Sequence, residues 1–432
     1  MRGNSILRAG ALCLFSALLP VSAAPVGEHQ GVTSCGGSTC HGRLAPTGKT
    51  VRQNELITWQ DTTAAAGTHS QAWLVLTRAR GQAIASRLGL GPAQSAKECL
   101  GCHATPAAAR GKQFQISDGV GCEACHGGAG GWLGTHYAVK ASHADNVARG
   151  MTALEDPRTR AGLCLDCHFG SSKPGQFVTH SMMAAGHPRL SFELDLFSTL
   201  QRHYDFDADY VKRKPLSSGI KFWAVGQAMA VERAVTLYAS RGQQGAFPQF
   251  YFFDCQSCHR RVSDESNAPL TAEANPARPV PPGTAPFNDE NMIMLSAVAR
   301  VVAPDAGERF DAAARAFHLA LAQEPGGAAA AALAGAARGL GARFAAHNFT
   351  RADTFGALDA VLSGAAARYT DYVGGAQAVM AADALLNSLG GAQSVRPQIN
   401  RLYAAVRDTN SWRPAEFRDG VRQLAGAVRG LK

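Results

Sequence analysis

Apolar positions recur at helical spacing through most of the chain. They divide it into a poorly patterned first part and a strongly patterned last part. Residues 63–88 read as a helix with His69, Trp73 and Leu76 at i, i+4 and i+7 on one face. Residues 154–168 read as a short helix. Ser217 or Ser218 is placed to cap a long helix whose face carries Ala224, Ala228, Val231, Val235 and Tyr238. Residues 263–286 are rich in Pro, Ala and Asn and contain Pro279-Val-Pro-Pro-Gly, so they read as a linker. Beyond it, helical faces follow one another. They are Leu295, Val298 and Val302; Phe310, Ala314, Phe317 and Leu321; Leu333, Leu340 and Phe344; Phe355, Leu358 and Leu362; Ile399, Leu402 and Val406; and Phe417, Val421 and Leu424. Pro304, Pro325-Gly-Gly, Gly390-Gly391 and Pro414 separate them. The pattern predicts a bundle of about six or seven helices with small residues for close packing.

The domain plan is therefore a secretory signal over residues 1–24, a first domain over 25–262, a linker over 263–287 and a helical bundle over 288–432. The signal is read from Arg2 and Arg8, the apolar run of residues 9–20, and the small-residue site Val21-Ser-Ala23-Ala24. The apolar run is too short to span a bilayer, and no other stretch approaches the needed length. An exported protein, periplasmic or beyond, without a transmembrane segment is expected. No small residue precedes Cys13 as a lipid-anchor signal needs, so no lipid anchor is read. The formal charge is +9 from 42 basic and 33 acidic residues, and losing Arg2 and Arg8 leaves +7. No aromatic-rich basic patch accompanies it, so no nucleic-acid partner is inferred.

Cysteine usage explains why the first domain is poorly patterned. Eleven cysteines less Cys13 leave ten, and all ten fall in five motifs. Four are Cys-x-x-Cys-His, the attachment sequence of c-type haem: Cys99/Cys102/His103, Cys122/Cys125/His126, Cys164/Cys167/His168 and Cys255/Cys258/His259. Each cysteine forms a thioether to the porphyrin, and the histidine binds the iron from one face. Zinc would need Cys-x-x-Cys pairs matched two by two, with no reason for a histidine after every pair. The fifth motif, Cys35-Gly-Gly-Ser-Thr-Cys40-His41, has two extra residues. It reads as a haem site whose Gly36-Gly37 folds the longer loop, against the alternative of a small disulfide loop. Five haem c groups would supply a large apolar filling. The expected fold is mainly α: a haem-packed helix-and-loop multihaem domain with almost no sheet, followed by the all-α bundle.

Nine histidines lie outside the motifs. His69, His136, His180, His187 and His203 are the candidate second ligands. Trp73 could share a porphyrin with His69, and Trp132 precedes His136 after a Gly-rich loop. Ala184, Ala185 and Gly186 between His180 and His187 would let a porphyrin approach the backbone. His318 and His347 fall in the haem-free bundle and receive no role. His29 and His143 are expected to be exposed. Met182 and Met183 are expected to pack rather than ligate.

The run GVGCEACHGG…WLGTH resembles the third haem segment of the cytochrome c-554 family. Those proteins are exported tetrahaem electron carriers, best known as acceptors for hydroxylamine oxidoreductase. WQDTTAAAGTHSQA resembles that family's segment after the first haem, and the order of the first four motifs agrees. The resemblance covers residues 31–205. The segments HSMMAAGHPRLSFEL and FDCQSCH look like a longer branch with an added haem. The resemblance implies that His136 serves the His41 iron and that His69 serves the His126 iron. It implies also that the His103 iron lacks a sixth protein ligand, and that His203 sits where the distal ligand of the fourth haem lies. The extra histidines, the longer Cys35 site and the fifth motif depart from the family pattern. The bundle lies outside the resemblance.

The function expected is electron transfer along a chain of haems between redox proteins as donor and acceptor, such as a membrane quinol-oxidising module or an outer-membrane conduit. The alternative is an oxidoreductase acting on a small nitrogen or sulfur compound at an open iron. A third class is a scaffold in which the bundle docks a partner. Nothing near the His103 motif supplies a lysine ligand or an acid/base pair, so a carrier is favoured over an enzyme.

Overall fold

A computed structural model describes residues 27–46, 48, 52–244, 247–259, 273–323, 327–391, 393–410 and 412–430. The expected signal segment and residues 263–272 of the expected linker lie outside the described residues. The fold is mainly helical. Its strands, among the described residues, are the two-residue pair Gln243–Gln244 and Phe247–Pro248.

The first part is built of short helices joined by loops. They are α1 (Glu55–Gln60), α2 (Leu74–Thr77), α3 (Ala79–Arg87), α4 (Lys97–His103), α5 (Cys122–His126), α6 (His143–Ala148), α7 (Pro157–His168), α8 (His180–Ala184), α9 (Leu194–Leu200) and α10 (Ala208–Arg213). The single helix expected over 63–88 is not formed. A 3-10 turn, Ala65–Gln71, is followed by α2 and α3, and Arg78 between them is extended at ψ 161°. Periodicity placed His69, Trp73 and Leu76 on one helical face. The broken backbone instead buries Leu76 and leaves Trp73 and His69 half-buried. α7 starts at Pro157 with Asp156 as its cap, the carboxylate accepting from the Thr159 N–H at 2.7 Å.

The long helix α11 (Gly219–Arg241) carries the expected face, with Ala224, Ala228, Val231, Val235 and Tyr238 all buried. Ser218 occupies the cap position but makes no capping hydrogen bond. Ser217 donates instead to the Glu155 carbonyl at 3.4 Å. Trp223 and Val225 on other faces are also buried, because α11 is sandwiched between α7 and α9 on one side and the bundle on the other.

The bundle comprises α12 (Glu290–Val302), α13 (Pro304–Leu319), α14 (Ala328–Ala346), α15 (Arg351–Asp359), α16 (Tyr372–Leu389), α17 (Arg396–Ala405) and α18 (Pro414–Arg429). Pro304 and Pro414 open α13 and α18, and Gly390 ends α16 in the left-handed region at φ 72°. α16 escaped the sequence pattern. Residues 374–386 are buried on every side, so no polar face marks its period.

One apolar core runs from Phe177 through α11 into the bundle as far as Val428. The described part of the expected linker belongs to it. Phe287 is buried and stacks on Phe252 at 6.1 Å, Asp254 N–H donates to the Pro286 carbonyl, and Asn288 N–H to Phe252. Residues 273–287 are therefore packed chain, not a free tether. The segment before Phe177 has only small apolar clusters, such as Leu76, Ala85 and Ala93. A chain of that length without a core of its own needs another filling.

Candidate haem centres

In a helix, residues i, i+3 and i+4 share a face. Cys-x-x-Cys-His on a helix thus presents two sulfurs and one imidazole to the same side. The second motif ends α4, the third forms α5 and the fourth ends α7. The fifth lies on a 3-10 turn, Cys255–Ser257. Asp254 caps it, accepting from Gln256 N–H at 3.2 Å and from Ser257 Oγ at 2.7 Å. The first motif replaces the helix by a turn. His41 N–H donates to the Cys35 carbonyl at 3.1 Å, and Cys40 N–H and Gly42 N–H both donate to Gly37. A side chain at position 42 would meet the Gly36 carbonyl at 2.0 Å, so the longer loop closes only on glycine. No disulfide joins any of the ten described motif cysteines, and in a haem-loaded chain their sulfurs would be the thioethers.

Every motif histidine faces a histidine from outside the motifs. His41 lies 6.2 Å from His136, centroid to centroid, with planes 16° apart. His103 lies 6.3 Å from His187 at 89°, and His126 lies 6.3 Å from His203 at 89°. His168 lies 6.0 Å from His69 at 65°, and His259 lies 6.2 Å from His180 at 34°. Two imidazoles bound at about 2.0–2.1 Å on opposite faces of one metal set their centroids roughly 6 Å apart. These five spacings fit one iron between each pair.

The hydrogen bonds select the nitrogen left for a metal. Nδ1 of His103 meets the Ala72 carbonyl at 2.7 Å, Nδ1 of His136 that of Leu133 at 2.8 Å, and Nδ1 of His187 that of Pro188 at 2.8 Å. Nδ1 of His203 meets the Gln201 carbonyl at 3.3 Å. Donation from Nδ1 leaves Nε2 with its lone pair free. At several of these imidazoles burial favours the neutral form that a ligand must have, while the hydrogen bond to Glu55 raises His41. Burial pushes His126 down to about 3 and His168 down to about 4, and lowers His69, His187 and His203.

The other histidines differ. His143 is largely buried, not exposed, with Nε2 2.6 Å from Glu155. His29 is buried too, pinned by backbone hydrogen bonds to Ala109 and from Gly111. His347 uses Nε2 toward Asp353 at 3.2 Å. His318 is buried in the bundle, its Nδ1 on the Ala314 carbonyl, with Phe287 and Phe317 as its ring neighbours. Met183 packs against the main core.

Three pairings implied by resemblance are corrected. His69 faces His168 rather than His126. His203 faces His126 rather than His168. His103 is not left without a partner, because His187 stands across from it. The His69 ring does not face that of His126, although its backbone meets the residues leading into α5: Val120 N–H donates to the His69 carbonyl at 3.1 Å. That contact keeps the two segments together while the imidazole points to α7. The His136–His41 pairing has the geometry implied.

The motifs also touch one another. The Cys35 thiol neighbours that of Cys122, and Cys102 Sγ lies 4.0 Å from the Cys167 carbonyl while Cys167 Sγ lies 3.7 Å from that of Gly101. Cys125 feels Cys164 and Cys167. Arg189, two residues beyond His187, pairs with Glu290 at 3.2 Å and has Cys255 as a neighbour. Sequence reasoning missed Glu123, inside the third motif. Its buried carboxylate accepts three backbone N–H groups, from Gln30 at 2.8 Å, Gly31 at 2.7 Å and Ala129 at 2.7 Å. It thereby fastens the segment leading to the first motif onto the third. An acidic residue between two attachment cysteines was the available signal.

The site defines a multihaem c-type cytochrome. Residues 34–127 match the family model described as cytochrome c554 and c-prime. Over those residues the chain is similar to c-554-like cytochromes, and the match supports a c-type cytochrome with covalently bound haem c and a part in electron transfer. The match ends one residue past His126, so the fourth and fifth motifs and the bundle lie beyond it. Neither curated proteins nor solved structures gave a match. No described helix is long and apolar enough to cross a membrane.

Proposed function

We propose that the chain carries five haem c groups, one per motif, and passes electrons along them between redox proteins outside the cytoplasm. The observation that carries the reading is the set of five facing imidazole pairs, each joining one motif histidine to one distant histidine. Haem c, when bound, supplies a one-electron iron couple. The ten histidines would hold the irons, and the ten cysteines would fix the porphyrins. Ligands held by the fold on both sides leave little to rearrange on electron transfer.

Motif contacts suggest an order for the transfer. The first motif adjoins the third, the third adjoins the fourth, the fourth adjoins the second, and Arg189 links the second to the fifth. An electron would enter or leave at the first and fifth motifs, whose Cys40 and Cys258 are exposed while the other eight motif cysteines are half-buried. The donor and acceptor would be a quinol-oxidising module, an outer-membrane conduit or proteins of that redox class. The reading of an enzyme at an open His103 iron is disfavoured by His187 across from it. Intact mass of the exported protein from a cytochrome-maturing host tests the stoichiometry. Five haem masses with no free thiol are expected, and four haems with Cys35 and Cys40 unmodified would overturn the count.

A further inference from the structure

The first motif differs from the others in what its histidine touches. Nδ1 of His41 lies 3.0 Å from Oε2 of Glu55, at the start of α1. The Nδ1 hydrogen bonds of His103, His136, His187 and His203 end on backbone carbonyls. That of His41 ends on a carboxylate, and the surrounding backbone is built to deliver it. Leu56 N–H donates to the His41 carbonyl at 3.0 Å. Arg43 N–H donates to the Gln53 carbonyl at 2.9 Å, and Arg43 Nε to Gln53 Oε1 at 3.0 Å. Gln53 itself holds φ at 60°, a left-handed conformation that a non-glycine residue rarely adopts. These contacts clamp the turn that follows the motif against the start of α1, with the carboxylate facing the ring.

We infer that Glu55 is a positioning and tuning residue for the first haem, holding His41 by Nδ1 and making it a stronger donor, so that this iron has a lower potential than the carbonyl-bonded setting would give. The inference rests on the proposed five-haem reading. A carboxylate acceptor draws the Nδ1 proton and increases the basicity of the ligating nitrogen. A more basic ligand favours the ferric over the ferrous state. The first motif is one end of the suggested order, so Glu55 would set the step by which an electron enters or leaves.

The test is a spectroelectrochemical titration of the full haem-loaded protein as wild type, Glu55→Gln and Glu55→Ala, with haem counted by the pyridine haemochrome in each. In Glu55→Gln one of five components should move to more positive potential, and in Glu55→Ala further still, with the haem count and low-spin spectrum retained. The component that moves should be the one altered by His136→Ala. Five unchanged components in a five-haem Glu55→Gln protein would overturn the inference. Loss of one haem or its low-spin character in that variant would also overturn it, making Glu55 a structural support. A wild-type count of four, lacking the first motif's haem, would instead bring down the reading beneath it.

Discussion

His187 stands 6.3 Å from His103, ring centroid to ring centroid, with the two planes at 89°. Its Nδ1 is held by the Pro188 carbonyl, which turns the other ring nitrogen toward His103. Arg80 and Arg87 donate to the backbone at Gly186 and Ala185, so the turn that presents His187 is itself anchored to α3. At the position left open by resemblance, this chain places a candidate ligand. His187→Ala should yield one high-spin iron at the Cys99/Cys102 motif, and that iron should take up added imidazole or carbon monoxide. Absorbance and haem count of the variant check it. An unchanged low-spin spectrum would mean that His187 is not the ligand.

Removing the bundle should not leave a sound haem domain. α11 packs against α14, α12 and α16, and Trp223, Val225, Val231 and Val235 would lose their cover. A chain ending at residue 262 is expected to aggregate or fail to mature. In the full chain, Trp223→Ala should lower stability by about 3–5 kcal/mol, measured by denaturant unfolding. A soluble, fully haem-loaded truncation would contradict the shared core.

Glu123→Ala should loosen the first motif although it lies in the third. Three backbone N–H groups would lose an ionised acceptor, at about 1.5–3 kcal/mol for each hydrogen bond to a charged group before relaxation. Lower thermal stability is expected, with haem at Cys35/Cys40 the first to be lost. Peptide mass mapping would show it, and uniform loss across motifs would count against the specific link.

Glu193 gives a pH signature. Burial and the neighbouring Asp195 raise its carboxyl to about 8, while its oxygens cap α9 through Asp195 N–H and Leu196 N–H. A folded value above the usual 4.5 means that the folded state binds the proton more tightly. Stability from this group is full below the unfolded value and is lost as pH rises through 8. Glu193→Gln should be near neutral at pH about 5 and stabilising by on the order of 1 kcal/mol at alkaline pH. Unfolding curves at the two pH values check the sign.

Attachment chemistry was legible because it is local. Cys-x-x-Cys-His is written in consecutive residues, and the bundle faces of Phe310, Leu333, Ile399 and Phe417 repeat at helical spacing and are buried. Residues 273–287 misled because proline and alanine mimic a tether while Phe287 does the packing. α16 left no period because residues 374–386 are buried on every side. The pairing of His69 and His203 was not legible at all. Each partner is brought in by the fold over a long stretch of chain, and the family match, which ends at residue 127, does not reach the fourth motif. Glu55 and Glu123 act on residues far from them in sequence or on the backbone, which residue spacing does not encode.

The central claim is that each iron sits between two imidazoles, and electron paramagnetic resonance of the fully oxidised protein tests it most directly. Every iron should be low-spin, in two classes set by ring orientation. A rhombic class should come from the near-parallel pairs His41/His136 and His180/His259, at 16° and 34°. A highly anisotropic class should come from His103/His187 and His126/His203 at 89°, with His69/His168 at 65° closer to it. A high-spin signal integrating to one iron per chain would contradict the account, because it would mean that one of these five pairs does not close on a haem.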